Sequence, residues 1–185
     1  MRARLFTWLA IARDEAKEAG LTPPQVVAAF WPLGDEPDLR PLMTQWDDSD
    51  ITVALPTMTG TAEPLEFHRW RPEMKLITAQ FGVMQPETCE PCTPDVILVP
   101  TLGFTTAGDR IGYGKGYYDR TLEHLNLLGH HPVTIGIAWS EGAIESIDPA
   151  YQPAEHDYRL DGILTPAGWI GSAPRLKSPT GNASI

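Results

Sequence analysis

The order of apolar and polar positions divides the chain into one amphipathic segment followed by a series of short apolar runs. Residues 3 to 19 place Leu5, Trp8, Leu9, Ala12 and Ala16 at steps of three and four, with Arg13, Asp14, Lys17 and Glu18 between them. That spacing predicts a helix with one buried face, stopped by Gly20 and the prolines after it. Beyond it lie "VVAAFW" (26 to 31), "ITVAL" (51 to 55), "DVILVP" (95 to 100), "VTIGIAW" (133 to 139) and "DGILTP" (161 to 166). Unbroken runs of Val, Ile and Leu, bounded by turn residues, suit strands buried on both faces, as in a parallel sheet covered by helices. Helical patterns fall between several of them, at about 37 to 47 and 117 to 128. Strand and helix in alternation predict an α/β sandwich. "LEFHRW" (65 to 70) alternates with period two and reads as an extra strand, suited to a hairpin. No internal repeat interrupts this pattern.

Length and charge narrow what such a fold would serve. At 185 residues the chain has room for one domain with a real core, here taken as residues 1 to 170. Residues 171 to 185, small, polar and broken by proline, read as a flexible tail. Twenty-four acidic against fourteen basic residues give a formal net charge of -10, which argues against nucleic acid as a partner. A small phosphorylated ligand needs only a local cluster of cations, and residues 110 to 120 hold three of those fourteen. The longest early apolar run, "LFTWLAIA", is far short of the ~20 residues that cross a bilayer, and no signal-peptide cleavage pattern follows it. The expectation is a cytoplasmic protein without a membrane partner. Cys89 and Cys92, in "CEPC", have neither a second cysteine pair nor a histidine at metal spacing, and read as loop thiols. His156 reads as a surface histidine, and His130 and His131 as residues close to a helix C-terminus.

The densest chemistry is "RIGYGKGYYDR", residues 110 to 120, placed after the run 95 to 100 and leading into a predicted helix. In open α/β sheets, ligands gather beyond the carboxyl ends of strands, where loops lead into helix N-termini. Glycines at 112, 114 and 116 would let backbone amides approach an oxyanion closely. Lys115 could reach phosphate as a point charge and Arg110 as a planar fork, while Asp119 in the first helical turn could hold a magnesium ion. Generic motifs do not fit. A Walker loop requires glycine where Asp109 stands and Ser or Thr where Gly116 stands, and the dinucleotide fingerprint fails because the third glycine comes one residue early. Spacing alone therefore leaves two readings open, an anion site and a structural turn.

A wider match adds to this. "VPTLGFTTAGDRIGYGKGYYDR" (99 to 120) resembles the signature of the 5-formyltetrahydrofolate cyclo-ligase family, and the resemblance runs from about residue 26 to about 166. It takes in "FWPLGDEPDLRPL" (30 to 42), "LEFHRW", "FGVMQP" (81 to 86) and "PAEHDYRLDGILT" (153 to 165). The resemblance implies a three-layer α/β/α sandwich with a mostly parallel central sheet, of the NagB/RpiA/CoA-transferase-like kind. It also implies ATP- and magnesium-dependent conversion of 5-formyltetrahydrofolate to 5,10-methenyltetrahydrofolate, with Arg110 and Lys115 as catalytic cations. Arg110, Ile111, Gly112, Tyr113, Gly114, Lys115, Gly116, Tyr117 and Tyr118 would form the ATP cradle. Trp31, Glu36 and residues 113 to 117 would face the reduced folate, and Asp119 and Asp157 would hold the magnesium. A carboxylate such as Glu36 can accept hydrogen bonds from the amino-pyrimidinone edge of a pterin. ATP and reduced folate are then the expected partners, with the protein a monomer or a homodimer.

Two features depart from the family pattern. The basic helix that usually comes first, and whose lysine and arginine reach the phosphates, has no counterpart here; a start codon placed downstream would explain that. Thr105 stands where the family usually has aspartate, which threatens the anchoring of the loop. The alternative function is therefore a catalytically impaired folate- or nucleotide-binding paralogue. A more distant one is an unrelated acid–amine ligase, for which Glu36 would have no pterin to meet.

Overall fold

The computed structural model describes residues 1–146, 148–155 and 157–177. His156 lies outside the described residues, as does the tail from 178 onward. Among the described residues, seven strands form one sheet: β1 (Val26–Ala28), β2 (Thr52–Thr57), β3 (Glu66–Trp70), β6 (Val96–Pro100), β9 (Val133–Ile137), β10 (Gly162–Thr165) and β11 (Gly168–Ile170). Their order is β11-β10-β9-β6-β1-β2-β3. The five inner strands run parallel, and the two edges, β3 and β11, pair antiparallel to their neighbours.

Alternation within each strand explains why the runs show no polar alternation. Val27, Val53, Leu55, Val96, Leu98, Ile135 and Leu164 point to one face, where α1 (Arg2–Glu18) and α2 (Arg40–Asp47) cover them with Leu5, Trp8, Leu9, Leu42, Met43 and Trp46. Ala28, Ala54, Ile97, Val99 and Ile163 point to the other, under Leu122 of α3 (Tyr117–Leu127). Both faces are dry, so a polar residue on either would lose water without compensation. The result is the expected α/β/α sandwich. The five residues that define the apolar stripe of α1 are all buried.

Several boundaries differ from expectation. β1 ends at Ala28 instead of Trp31, because Pro32 and the positive φ of Gly34 (52°) turn the chain away from the sheet. α2 begins at Arg40 rather than 37, where Asp38 accepts a hydrogen bond from the Arg40 amide at 3.0 Å. Two small hairpins are additional, β4 (Leu76–Thr78) with β5 (Met84–Pro86), and β7 (Gly103–Phe104) with β8 (Arg110–Ile111). Their two- and three-residue strands are too short to generate a periodic pattern. The packed body also extends past residue 170, correcting the expectation of a tail from 171. Trp8 Nε1 donates to the Pro174 carbonyl at 2.8 Å, Leu176 and Ala173 lie against the core, and Lys177 pairs with Asp161 at 2.8 Å.

"CEPC" takes a structural place. The Cys92 amide donates to the Phe67 carbonyl and the Arg69 amide to the Glu90 carbonyl, each at 2.8 Å. The segment thereby covers part of the outer edge of β3, an edge that would otherwise present unpaired backbone groups.

Candidate active site

The chain passes from β1 to β2 on one side and returns with β6 on the other, so the loops leaving β1 and β6 diverge and open a crevice between them. After β1 the chain delivers Phe30, Trp31, Leu33 and Glu36. Pro56 and Met58 come from the end of β2, and Pro100, Arg110, Tyr113 and residues 115 to 118 from the segment after β6. The hairpin β4–β5 adds Phe81 and Val83. Together they line a cleft of about 360 Å³.

The glycine-rich segment runs from β8 into α3. Gly116 caps α3 with φ 67° and Gly114 has φ 75°, a left-handed conformation that costs other residues about 1–2 kcal/mol. Gly112 is needed for a different reason, since a Cβ there would run into Arg110 Nη2. The first turn of α3, at residues 117 and 118, borders the cleft, and a helix N-terminus brings unpaired amides and a partial positive charge. Arg110 is 8% exposed, with its guanidinium 5.7 Å from the Tyr118 ring centroid and Nη1 3.6 Å from Asp119 Oδ2. Its Nε has no hydrogen-bond partner among the described residues. The Nε is enclosed, but the side chain borders the cleft, where an anion would give this buried cation a partner besides Asp119. Lys115 is exposed, with Nζ 5.0 Å over the Phe81 ring, and it forms no ion pair among the described residues.

Glu36 lines the same cleft from the loop after β1. One of its oxygens accepts from the Leu33 amide at 2.7 Å and the other from the Tyr113 hydroxyl at 3.0 Å. Burial holds its carboxyl above the ordinary value despite both hydrogen bonds. The Tyr113 phenol is pushed up to about 12, by burial first and then by the Glu36 charge and hydrogen bond. Trp31 packs on Trp70 with ring centroids 6.3 Å apart, and the Arg40 guanidinium lies 5.4 Å from its ring.

Of the sequence-predicted residues, Trp31, Glu36, Arg110, Tyr113, Lys115, Gly116, Tyr117 and Tyr118 line this one cleft. Ile111, Gly112 and Gly114 belong to the loop behind it. Asp119 sits on α3, where Oδ1 accepts from the Tyr158 amide at 3.1 Å and Oδ2 faces Arg110. Asp157 is exposed and caps its own turn by accepting from the Ala154 amide at 2.9 Å. The Tyr158 contact nevertheless sets the chain around Asp157 against Asp119. Among the described residues there is no group of three or more His, Cys, Asp and Glu that could hold a metal by itself. Two carboxylates, both hard oxygen donors, match what magnesium takes when phosphate and water supply its other ligands.

Arg2 and Arg4 reach elsewhere: Arg2 Nη1 lies 3.5 Å from the Asp38 carbonyl, and Arg4 Nη1 donates to the Pro166 carbonyl at 3.3 Å. Thr105 does not leave the loop loose, since its hydroxyl donates to Asp109 Oδ2 at 2.8 Å.

Phe81, which lines the cleft, and Arg120, which packs on Tyr117, are among the side chains that carried no assignment from the sequence. Phe81, at the hairpin tip, has φ 59°, is 58% exposed, and stacks at 6.4 Å on Tyr117 while supporting Lys115. A bulky residue held at positive φ beside a cleft marks a constraint of the kind found at ligand sites. Arg120 lies 4.8 Å over the Tyr117 ring. Neither position has a spacing signal; Phe81 was legible only as the first residue of a family-like block.

The sequence profile described as the 5-formyltetrahydrofolate cyclo-ligase family matches residues 10–166. The chain belongs to this family. A cyclo-ligase of Mycolicibacterium smegmatis is 32% identical over 154 residues, covering 77% of this chain and 74% of that protein. The Escherichia coli cyclo-ligase is 30% identical over 148 residues, covering 76% and 78%. Among solved structures, the 5,10-methenyltetrahydrofolate synthetase of Aquifex aeolicus superposes with a TM-score of 0.63 at 24% identity, over 97% of this chain and 84% of that one. At that identity the likeness concerns the fold, which the cyclo-ligase family members share with this chain.

Proposed function

We propose that the protein is a 5-formyltetrahydrofolate cyclo-ligase, which uses ATP to close 5-formyltetrahydrofolate to 5,10-methenyltetrahydrofolate with release of ADP and phosphate. The observation that carries this reading is that one cleft holds both kinds of charge. Arg110, Lys115 and the first turn of α3 line it with positive charge suited to phosphate, and Glu36, from the loop after β1, adds a half-buried carboxylate to the same lining. Family membership supplies the reaction that needs both.

The formyl group on nitrogen-5 is an amide, and its oxygen is a poor leaving group. Transfer of the γ-phosphoryl group to that oxygen breaks the bond to ADP and leaves an iminium-like phosphate. Nitrogen-10 then attacks the same carbon and loses its proton, and the carbon–oxygen bond breaks to expel phosphate. No enzyme nucleophile is required, so the protein contributes position and charge. Arg110 and Lys115 offset charge on the migrating phosphoryl group, the unpaired amides of α3 add partial positive charge, and Glu36 orients the pterin by accepting from its donor edge. The Tyr113 hydroxyl, which occupies one Glu36 oxygen in this structure, gives way to the pterin. Trp31, Phe81 and Tyr117 supply apolar wall that limits water around the activated formyl. Asp119 and Asp157 are the residues that would hold magnesium, which neutralises phosphate charge when bound.

No helix among the described residues is long and apolar enough to cross a membrane, and a cytoplasmic setting is part of the proposal. The test is the absorbance of the methenyl product on mixing purified protein with 5-formyltetrahydrofolate, ATP and magnesium. Product should form only when all three are present. A protein that binds both substrates yet forms none would overturn the reading.

A further inference from the structure

Behind the cleft lies a set of polar contacts that neither phosphate nor folate recognition uses. Residues 105 to 109 form a tight turn in which the Thr105 amide donates to the Asp109 carbonyl at 3.0 Å and the Gly108 amide to the Thr105 carbonyl at 3.1 Å. Side chains repeat the connection. The Thr105 hydroxyl donates to Asp109 Oδ2 at 2.8 Å, and the Asp109 amide donates back to Thr105 Oγ1 at 3.2 Å. Both residues are buried, with 7% and 8% of their surface exposed. The remaining carboxylate oxygen, Oδ1, accepts from Arg159 Nε at 3.1 Å. Backbone joins the same two segments, because the Leu160 amide donates to the Gly108 carbonyl at 3.0 Å. Gly108 has φ 92°, and a Cβ there would stand 2.6 Å from the Leu160 carbonyl oxygen, so this approach tolerates no side chain.

These contacts close a ring. Next to Arg159, the Tyr158 amide donates to Asp119 Oδ1; Asp119 Oδ2 faces Arg110; and Arg110 follows Asp109 in the chain. A buried carboxylate loses several kcal/mol of hydration and is retained where its partners fix a geometry. Here the geometry is the register of residues 157 to 160 against the base of the glycine-rich loop and the start of α3.

We infer that Asp109, acting through Arg159, is a positioning residue that sets Asp157 and Asp119 side by side for the magnesium–nucleotide complex. This rests on the proposed use of magnesium and ATP. Thr105 belongs to the same device. An aspartate in its place would set a second carboxylate against Asp109, whereas the threonine hydroxyl donates to it. In this chain the anchoring carboxylate is at 109, and the hydroxyl at 105 is its complement.

A purely structural ion pair would behave differently. The Arg159 side chain is 62% exposed but the Asp109 carboxylate only 11%, so the pair is half-buried, and Asp109 keeps the Thr105 hydroxyl as a partner when Arg159 is replaced. Arg159→Met should therefore fold, with a modestly lower melting temperature. Its affinity for Mg·ATP, measured by titration calorimetry without folate, should fall roughly 10- to 100-fold, the range for residues that orient metal ligands. The magnesium concentration for half-maximal binding should rise, Arg159→Lys should recover part of the loss, and affinity for 5-formyltetrahydrofolate should stay unchanged. Asp109→Asn should behave like Arg159→Met; if it does not fold, the Arg159 pair decides alone. Wild-type protein that binds no Mg·ATP would overturn the functional reading and this inference with it. Wild-type protein that binds, beside an Arg159→Met variant that binds equally well or loses both substrates equally, would overturn this inference alone.

Discussion

Replacing Arg110 with methionine separates a functional arginine from a structural one. The guanidinium is 8% exposed, with a single carboxylate 3.6 Å away, a Tyr118 ring at 5.7 Å and an Nε that lacks a partner. At an effective dielectric of ~20, the attraction to Asp119 amounts to about 4–5 kcal/mol. Removing the guanidinium from water costs several kcal/mol, so the two effects roughly cancel. Methionine has similar length and no charge to bury, and Asp119 keeps its hydrogen bond from the Tyr158 amide. The melting temperature of Arg110→Met should accordingly stay within a few degrees of wild type or rise. Catalysis should respond in the opposite sense: loss of a group aimed at developing charge lowers kcat by roughly 10²–10³-fold. The assay is methenyl formation at saturating folate, with thermal unfolding of the same samples followed by circular dichroism. Activity that survives, or that declines only in step with the melting temperature, would refute the assignment.

Three further substitutions probe the rest of the cleft. Lys115→Ala should reduce kcat by roughly 10²-fold with little change in melting temperature, because the side chain is exposed and its ammonium lies over Phe81; equal losses in both would identify a structural loop. Glu36→Gln tests the buried carboxyl. Burial raises its folded-state pKa above the ordinary 4.5, so between the two values the native state holds the extra proton, and the stability this group contributes falls as pH rises through that window. The glutamine variant should then be the more stable protein at neutral pH and lose that advantage in acid, while its KM for 5-formyltetrahydrofolate rises by roughly tenfold to a hundredfold; melting curves at two pH values and steady-state kinetics check both. Gly116→Ala places a Cβ 2.8 Å from Arg120 Nη1 at φ 67°, and a cost of about 1–2 kcal/mol should appear as a melting temperature lower by roughly 2–8 °C.

The parallel core was legible because each inner strand is buried on both faces, so its run lacks polar alternation and is bounded by turn residues. The stripe of α1 was legible for the related reason that one face alone is dry. The hairpin β4–β5 was not, since its two three-residue strands, half-buried or exposed except at Pro86, have no apolar alternation to display. That omission hid Phe81, whose importance comes from a positive φ and from where the hairpin tip lands, neither of which is written in local spacing. The glycine-rich loop showed its chemistry but not its reasons: Gly114 and Gly116 serve conformation, and Gly112 makes room for Arg110. Thr105 read as a lost anchor because its partner, Asp109, is recognisable only once the turn brings the two side chains together.

If the cleft transfers a phosphoryl group from ATP to the formyl oxygen, that oxygen leaves in the phosphate. 5-Formyltetrahydrofolate labelled with oxygen-18 in the formyl group tests it directly, with the released phosphate analysed by mass spectrometry. Each phosphate formed together with methenyl product should carry one labelled oxygen. Unlabelled phosphate accompanying product would contradict it.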